Sequence, residues 1–103
     1  EEAKKFGLRA PMVGHLGDGN FHVVLPYDPA KKEMYKKIRE FNDLLIKKGL
    51  ELNGTITGEH GVGLHKKEYL LEEHPDNIPV MKSIKRTIDP NNIMNPGKIF
   101  DLN

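Results

Sequence analysis

The chain has 103 residues, of which 37% are hydrophobic and 30% charged, a balance typical of a folded rather than a disordered chain. Sixteen basic residues against fifteen acidic ones leave a net charge of +1, so no basic field argues for a nucleic-acid partner. The absence of cysteine excludes disulfides, Cys-ligated zinc and thiol nucleophiles. No targeting signal or membrane-length apolar run occurs, and we expect a cytoplasmic protein, peripheral to the membrane in its complete form.

The N-terminal part of the chain predicts the end of a helix followed by a β-hairpin. Residues 1–6 have the composition of a last helical turn. Two short runs rich in apolar and β-branched residues follow at 12–16 and 21–25, separated by a segment that contains Asp18-Gly19. An Asp-Gly pair between such runs is the strongest short-range hairpin signal.

Three helices are predicted after the hairpin. The first starts at Asp28-Pro29 and ends near Lys48, with Gly49 as its stop signal. A second, short helix is predicted around residues 65–73. The third begins near residue 76 or 77, with Pro in its first turn, and ends at Asp89-Pro90. The predicted buried residues of the first helix are Met34, Ile38, Phe41 and Leu45, and those of the third are Met81, Ile84 and Ile88.

The remaining segments are predicted to be mostly irregular. Residues 52–63 contain four glycines and one candidate short strand at 55–57, and the tail at 91–98 is rich in turn formers. The sum predicts an α+β fold, in which a small antiparallel hairpin packs with about three helices in a single domain over residues 1–103.

Two histidines flank the predicted hairpin turn. If Asp18-Gly19 is a two-residue loop, His15 lies directly opposite His22, with Cβ atoms about 4.5–5.5 Å apart on one face. Two imidazoles at that spacing can share one divalent metal. The alternative is that the two rings merely stack in the sheet, and the pattern alone does not decide between these interpretations. A one-residue slip in register would separate the rings.

The second chemically distinctive segment is Gly58-Glu59-His60-Gly61 with the residues that follow. It offers one hard oxygen ligand and one group that can take a proton near neutral pH, on a backbone that glycine leaves open to close approach. Taken alone, the segment is more typical of an ordinary loop with a solvated Glu-His pair.

Three motifs in one order make the sequence resemble a known family. They are G-H-L-G-D-G-N-F-H at 14–22, T-G-E-H-G-V-G at 57–63, and D-P at 89–90 followed by M-N-P-G-K at 94–98. Together they resemble the C-terminal domain of FAD-linked oxidases, over about residues 11–100. That domain occurs in flavin-type D-lactate dehydrogenases, the flavin subunit of glycolate oxidase and D-2-hydroxyglutarate dehydrogenases.

The resemblance implies a role for each motif residue. His15, His22 and Glu59 match the family's ligands to a divalent metal, a set compatible with Zn²⁺, Mn²⁺ or Fe²⁺. His60 matches the base that takes the hydroxyl proton of a 2-hydroxy acid while hydride passes to FAD. The metal would orient the substrate through its hydroxyl and carboxylate oxygens.

Four further expectations follow from the resemblance. Asn20 is expected to face the substrate, and Asn95 to lie in a tail near the flavin. Relatives that act on hydroxyglutarate carry Asn two positions after the second His, where this chain has Val24, which favours D-lactate or glycolate as substrate. The family's FAD-binding domain lies outside these residues, so we expect a C-terminal fragment of a larger flavoenzyme's substrate domain.

Such a fragment should bind FAD poorly and show no turnover alone, and its exposed apolar surface should favour association with an FAD-binding domain or subunit, or with itself. One alternative is a stand-alone metal-binding subunit or module that has lost the flavin half and has no activity alone. Another is a metal hydrolase that uses His15, His22 and Glu59 with a bound water. The hydrolase is less favoured because His60 and the tail motif have no role in it.

Overall fold

Four α-helices and one two-stranded antiparallel sheet form the regular structure of the computed structural model, which describes all of residues 1–103. This arrangement confirms the predicted α+β class. The chain forms two compact units, Glu1–Gly54 and Thr55–Asn103. None of the helices combines the length and the hydropathy that crossing a bilayer requires. The elements in chain order are α1 (Glu2–Lys5), β1 (Met12–Val13), β2 (His22–Val23), α2 (Lys32–Glu51), α3 (Lys67–Glu73) and α4 (Ile78–Ile88).

The hairpin forms where the sequence predicts it, but its register is different. β1 and β2 pair antiparallel with Val13 opposite His22, so the predicted pairing of His15 with His22 is wrong. The connection is longer than two residues and contains a 3₁₀ turn over Leu16–Asp18. His15 starts this turn and lies outside the ladder.

The turn geometry explains the shift in register. A two-residue type I′ loop needs a positive φ at both central residues. Only Gly19 has one, at 69°, because Asp18 ends the 3₁₀ turn instead. The His15 carbonyl accepts hydrogen bonds from the backbone N–H groups of Asp18 (2.9 Å) and Asn20 (3.2 Å), which closes a wider loop. Gly14 lets the two strands approach each other here, since a Cβ at this position would lie 2.5 Å from the Asn20 carbonyl oxygen.

Helix α2 begins later than predicted. Asp28 does not cap the helix. Its carboxylate accepts from the Ala30 N–H (3.0 Å) and its carbonyl from the Lys31 N–H (2.9 Å), forming a separate turn before the helix. Asx-type turns of this kind compete with helix initiation.

Helix α2 also runs through the predicted stop at Gly49. It ends in a Schellman motif, with Gly54 N–H donating to the Gly49 carbonyl (2.8 Å) and Asn53 N–H to that of Leu50 (3.0 Å). Asn53 supplies the left-handed residue, with φ at 59°. The helix terminus is therefore set by Asn53-Gly54, not by Gly49.

The first unit is centred on the predicted apolar stripe of α2. Phe41 is buried, and the other three stripe residues are half-buried, which confirms this face. Phe6, just after α1, packs edge-on against Phe41 with ring centroids 5.8 Å apart, a favoured aromatic geometry.

The second unit has its core at Ile56, Leu70 and Ile78, contributed by the loop, α3 and α4. The predicted strand at 55–57 does not form. The predicted buried face of α4 is wrong in part, because Ile84 and Ile88 are 55% and 70% exposed. The apolar residues of α4 have regular helical spacing, but the residue of this helix that is buried in the core is Ile78, in its first turn.

The carboxylate of Asp89 anchors the turn that follows α4. Asp89 is 5% exposed and accepts hydrogen bonds from the backbone N–H groups of Ile93 (3.0 Å) and Met94 (2.9 Å). Lys85, one turn earlier on α4, donates both to this carboxylate and to the Met94 carbonyl. The hydrogen bond from Lys85 is the main cause that lowers the pKa of Asp89; burial opposes it, and the two backbone donors reinforce it.

We predict that Gly14→Ala destabilises the protein by about 1–3 kcal/mol, because the added Cβ meets backbone that only a strand displacement can move. Gly17→Ala is the matched control, since its Cβ meets nothing within 4 Å. Urea unfolding of both variants measures the difference. Equal midpoints for the two variants would contradict the close approach at Gly14.

We also predict that Asp89 makes stability sensitive to acid. Because its folded pKa lies below the ordinary value of 3.8, its stabilisation is complete above that value and is lost as the pH falls through the lowered folded pKa. Asp89→Asn should therefore flatten the decline in unfolding free energy below about pH 4. Urea midpoints between pH 2 and 6 test this, with exposed Asp76→Asn as control. If Asp89→Asn loses stability below about pH 4 as steeply as the wild type, the anchoring role of this carboxylate is excluded.

Candidate functional site

The first unit carries three of the predicted site residues, all on the hairpin. His22 lies in β2 and is half-buried, and Asn20 is half-buried at the end of the turn. His15 is exposed, and its backbone carbonyl rather than its ring organises the turn. The register places Val13 rather than His15 opposite His22, so His15 lies outside the strand pair, at the start of the turn.

The second unit carries the Glu59-His60 pair in the loop between α2 and α3. Both residues are exposed, and a Glu59 carboxylate oxygen and a His60 ring nitrogen lie within 4.8 Å of each other. The Thr57 hydroxyl donates to the Gly61 carbonyl (3.1 Å) and closes the loop around the pair. Gly61 has φ at 71°, a conformation that glycine adopts without strain.

Two residues of the second unit that the sequence interpretation did not single out hold the start of this loop. The Glu73 carboxylate accepts from the Ile56 N–H, and the Lys66 ammonium donates to the Ile56 carbonyl. No local signal reveals these contacts, because Glu73 lies 17 residues from Ile56 along the chain. At the other end of the loop, Ile99 of the tail donates to the Gly63 carbonyl (2.8 Å).

Asn95 lies in the tail held by Asp89, directly after Met94. It is exposed and has φ at 47°, in the left-handed region that Asn tolerates better than most residues. It lines a cavity of about 120 Å³ together with Asn92, whose side-chain oxygen is buried without a hydrogen-bond partner. The tail is irregular, as predicted, but it is well anchored.

The chemistry of the donors is compatible with a divalent metal. A carboxylate with an imidazole beside it offers hard and borderline ligands of the kind that Zn²⁺, Mn²⁺ and Fe²⁺ accept. On the hairpin of the first unit, the half-buried imidazole of His22 is a nitrogen donor in its own right. These side chains therefore fit the group that the sequence motifs imply.

Comparison with known proteins agrees with the motifs. The model of the family "FAD linked oxidases, C-terminal domain" matches residues 1–99. A probable mitochondrial D-lactate dehydrogenase of Danio rerio is 44% identical over 92% of this chain and 19% of its own length. The glycolate oxidase subunit GlcD of Bacillus subtilis is 40% identical over 95% of this chain and 21% of its own.

A D-2-hydroxyglutarate dehydrogenase of Stutzerimonas stutzeri is 43% identical over 84% of this chain and 19% of its own length. The chain thus spans about one fifth of the relatives it matches. The family match covers nearly every residue, including all three motifs, and the chain belongs to the C-terminal domain family of FAD-linked oxidases.

Proposed function

We propose that this chain is the C-terminal, substrate- and metal-binding part of an FAD-dependent 2-hydroxy-acid dehydrogenase. The observation that carries the proposal is the family match over residues 1–99, within which the Glu59-His60 pair lies in a closed loop. Relatives named for D-lactate, glycolate and D-2-hydroxyglutarate all point to 2-hydroxy acids as the substrate class.

The proposed metal ligands are His15, His22 and Glu59. Two imidazoles and one carboxylate leave coordination positions open for a substrate, as a catalytic rather than a structural site requires. A bound divalent ion would polarise the hydroxyl and carboxylate oxygens of the acid and stabilise developing alkoxide charge. The exposure of Glu59 supports this role, because its carboxylate is accessible to an ion from solution.

His60 is the proposed base. It adjoins Glu59 in sequence, so a substrate hydroxyl held at that ligand would lie near an imidazole nitrogen that can accept its proton. FAD supplies the hydride acceptor of the reaction. Asn20 is proposed to contact the substrate, and Asn95 to lie beside the flavin, which its exposed position on the anchored tail allows.

The chain is proposed to act with an FAD-binding domain or subunit. Its coverage of about one fifth of each relative supports this, and so do the apolar side chains exposed on one face of α4: Val80, Ile84 and Ile88. Such a face also favours self-association of the isolated chain. Val24 in place of Asn favours D-lactate or glycolate over hydroxyglutarate. A cytoplasmic location stays a prediction, since the Danio rerio relative is named as mitochondrial.

We predict that the purified chain binds one divalent ion, and that His22→Ala and Glu59→Ala each weaken binding about tenfold or more, because each removes a ligand. Cobalt(II) titration followed by visible absorption, together with metal content after dialysis, measures this. The matched controls are His65→Ala and Glu72→Ala, which remove the same side-chain types at exposed positions. Retention of full affinity in both ligand variants would refute the proposed ligand set.

We predict that the chain alone holds no stoichiometric FAD and does not oxidise D-lactate or glycolate. The reason is that the proposed FAD-binding domain contributes the flavin site. Flavin absorbance of the purified chain and dye-linked turnover check this, with a full-length relative as the positive control. Stoichiometric flavin or turnover by the chain alone would contradict the proposal that a separate domain supplies the flavin site.

A further inference from the structure

We propose that Glu73 and Lys66 are positioning residues that hold the Glu59-His60 loop by binding both backbone polar groups of Ile56. The inference rests on the proposed function only in assigning a metal-binding role to that loop. Neither residue belongs to the three motifs, and neither is proposed to touch substrate or metal.

The peptide groups of Ile56 need partners because the residue is only 8% exposed. Buried backbone N–H and C=O groups are almost always hydrogen-bonded, and a strand would normally provide this through its neighbour. No strand forms at 55–57. Instead, Glu73 Oε2 accepts from the Ile56 N–H at 3.1 Å and Lys66 Nζ donates to the Ile56 carbonyl at 3.2 Å. Both bonds involve a charged side chain, which makes them stronger than neutral ones.

The two side chains are placed by α3. Lys66 is the N-cap of this helix and Glu73 its last residue, seven positions apart. Seven residues make close to two helical turns, so both positions lie on one side of the helix. The Glu73 side chain is only 11% exposed, and its second oxygen lies 3.3 Å from the His74 Nε2 atom. A short helix thus presents an acceptor and a donor to the two backbone polar groups of a single residue.

Ile56 lies close in sequence to Glu59 and His60, so its position affects theirs. Glu59 follows three residues later, and the bond between Thr57 and the Gly61 carbonyl closes the intervening segment at 3.1 Å. The far end is held where Ile99 donates to Gly63. Release of Ile56 would therefore free the start of the loop while its end stays fixed, and Glu59 and His60 lie between the two points.

The same arrangement recurs in the tail. There, Asp89 accepts from the Met94 N–H and Lys85 donates to the Met94 carbonyl. Asn95, the third motif's candidate residue, follows immediately. Each candidate segment of this unit is thus preceded by one residue whose N–H and C=O are bound by a carboxylate and a lysine.

The test compares Glu73→Ala and Glu73→Gln with the control Glu72→Ala, which removes an exposed carboxylate from the same helix. Amide hydrogen exchange at Ile56 and cobalt(II) affinity are measured on the same samples. Glu73→Ala should exchange faster at Ile56 and bind cobalt about tenfold more weakly, a loss comparable to that caused by removing a group that orients a metal ligand. Glu73→Gln should restore both, since its amide oxygen can accept from Ile56, and Glu72→Ala should change neither.

Unchanged exchange at Ile56 and unchanged cobalt affinity in Glu73→Ala would overturn the inference. If Glu73→Ala does not fold, as judged by circular dichroism, Lys66→Met replaces it. Because Lys66 binds the Ile56 carbonyl rather than its N–H, this variant is expected to weaken cobalt binding and to speed exchange across residues 56–61. If the wild type binds no cobalt, the metal proposal fails by itself. Exchange at residues 56–61 then decides the positioning role: acceleration in Glu73→Ala supports it and no change refutes it.

Discussion

The buried carboxylate of Asp89 is the constraint on which the second unit depends. A charged group at 5% exposure is tolerated only when it is paired and hydrogen-bonded, and this one binds a lysine and two backbone N–H groups. These bonds fix the reversal of the chain after α4. The tail can then run back so that Ile99 reaches Gly63 and Asp101 pairs with Lys67 at 2.8 Å. Removal of the carboxylate would leave the Ile93 and Met94 N–H groups without their acceptor and would leave Lys85 with the Met94 carbonyl alone.

Polar positioning of this kind compensates for a small apolar core. Four hydrophobic residues are buried in the whole chain, one in the first unit and three in the second: Phe41, Ile56, Leu70 and Ile78. Apolar packing is not directional, so it does not by itself fix the conformation of a loop. Hydrogen bonds from charged side chains to single peptide groups do fix it, because they work only at short range and in a narrow range of angles.

Local chemistry explains which parts of the fold the sequence predicts. The Asp18-Gly19 signal locates a hairpin turn, since Gly19 does adopt a positive φ, but it does not determine the loop length. Loop length depends on whether the residue before Gly joins a 3₁₀ turn, and here Asp18 does. The end of α2 is a similar case, because Gly49 and Asn53 are both stop signals. Asn53 is the one that adopts the left-handed conformation and ends the helix.

In the candidate site too, local sequence signals predict some features and miss others. Motif residues identify chemistry, and the sequence alone places the Glu59-His60 pair in a loop, which the structure confirms. It does not reveal the supporting residues, because the contact between Glu73 and Ile56 spans 17 positions and follows no periodic pattern.

Periodicity also fails on α4, for a different reason. A stripe of apolar residues indicates which face can be buried, whereas exposure depends on what is available to cover that face. In this chain Ile84 and Ile88 remain largely exposed. Association with the proposed FAD-binding domain would cover this exposed stripe. The helix would then contact two partners, with Ile78 in its first turn packed in the core of its own unit and the stripe packed against the other domain.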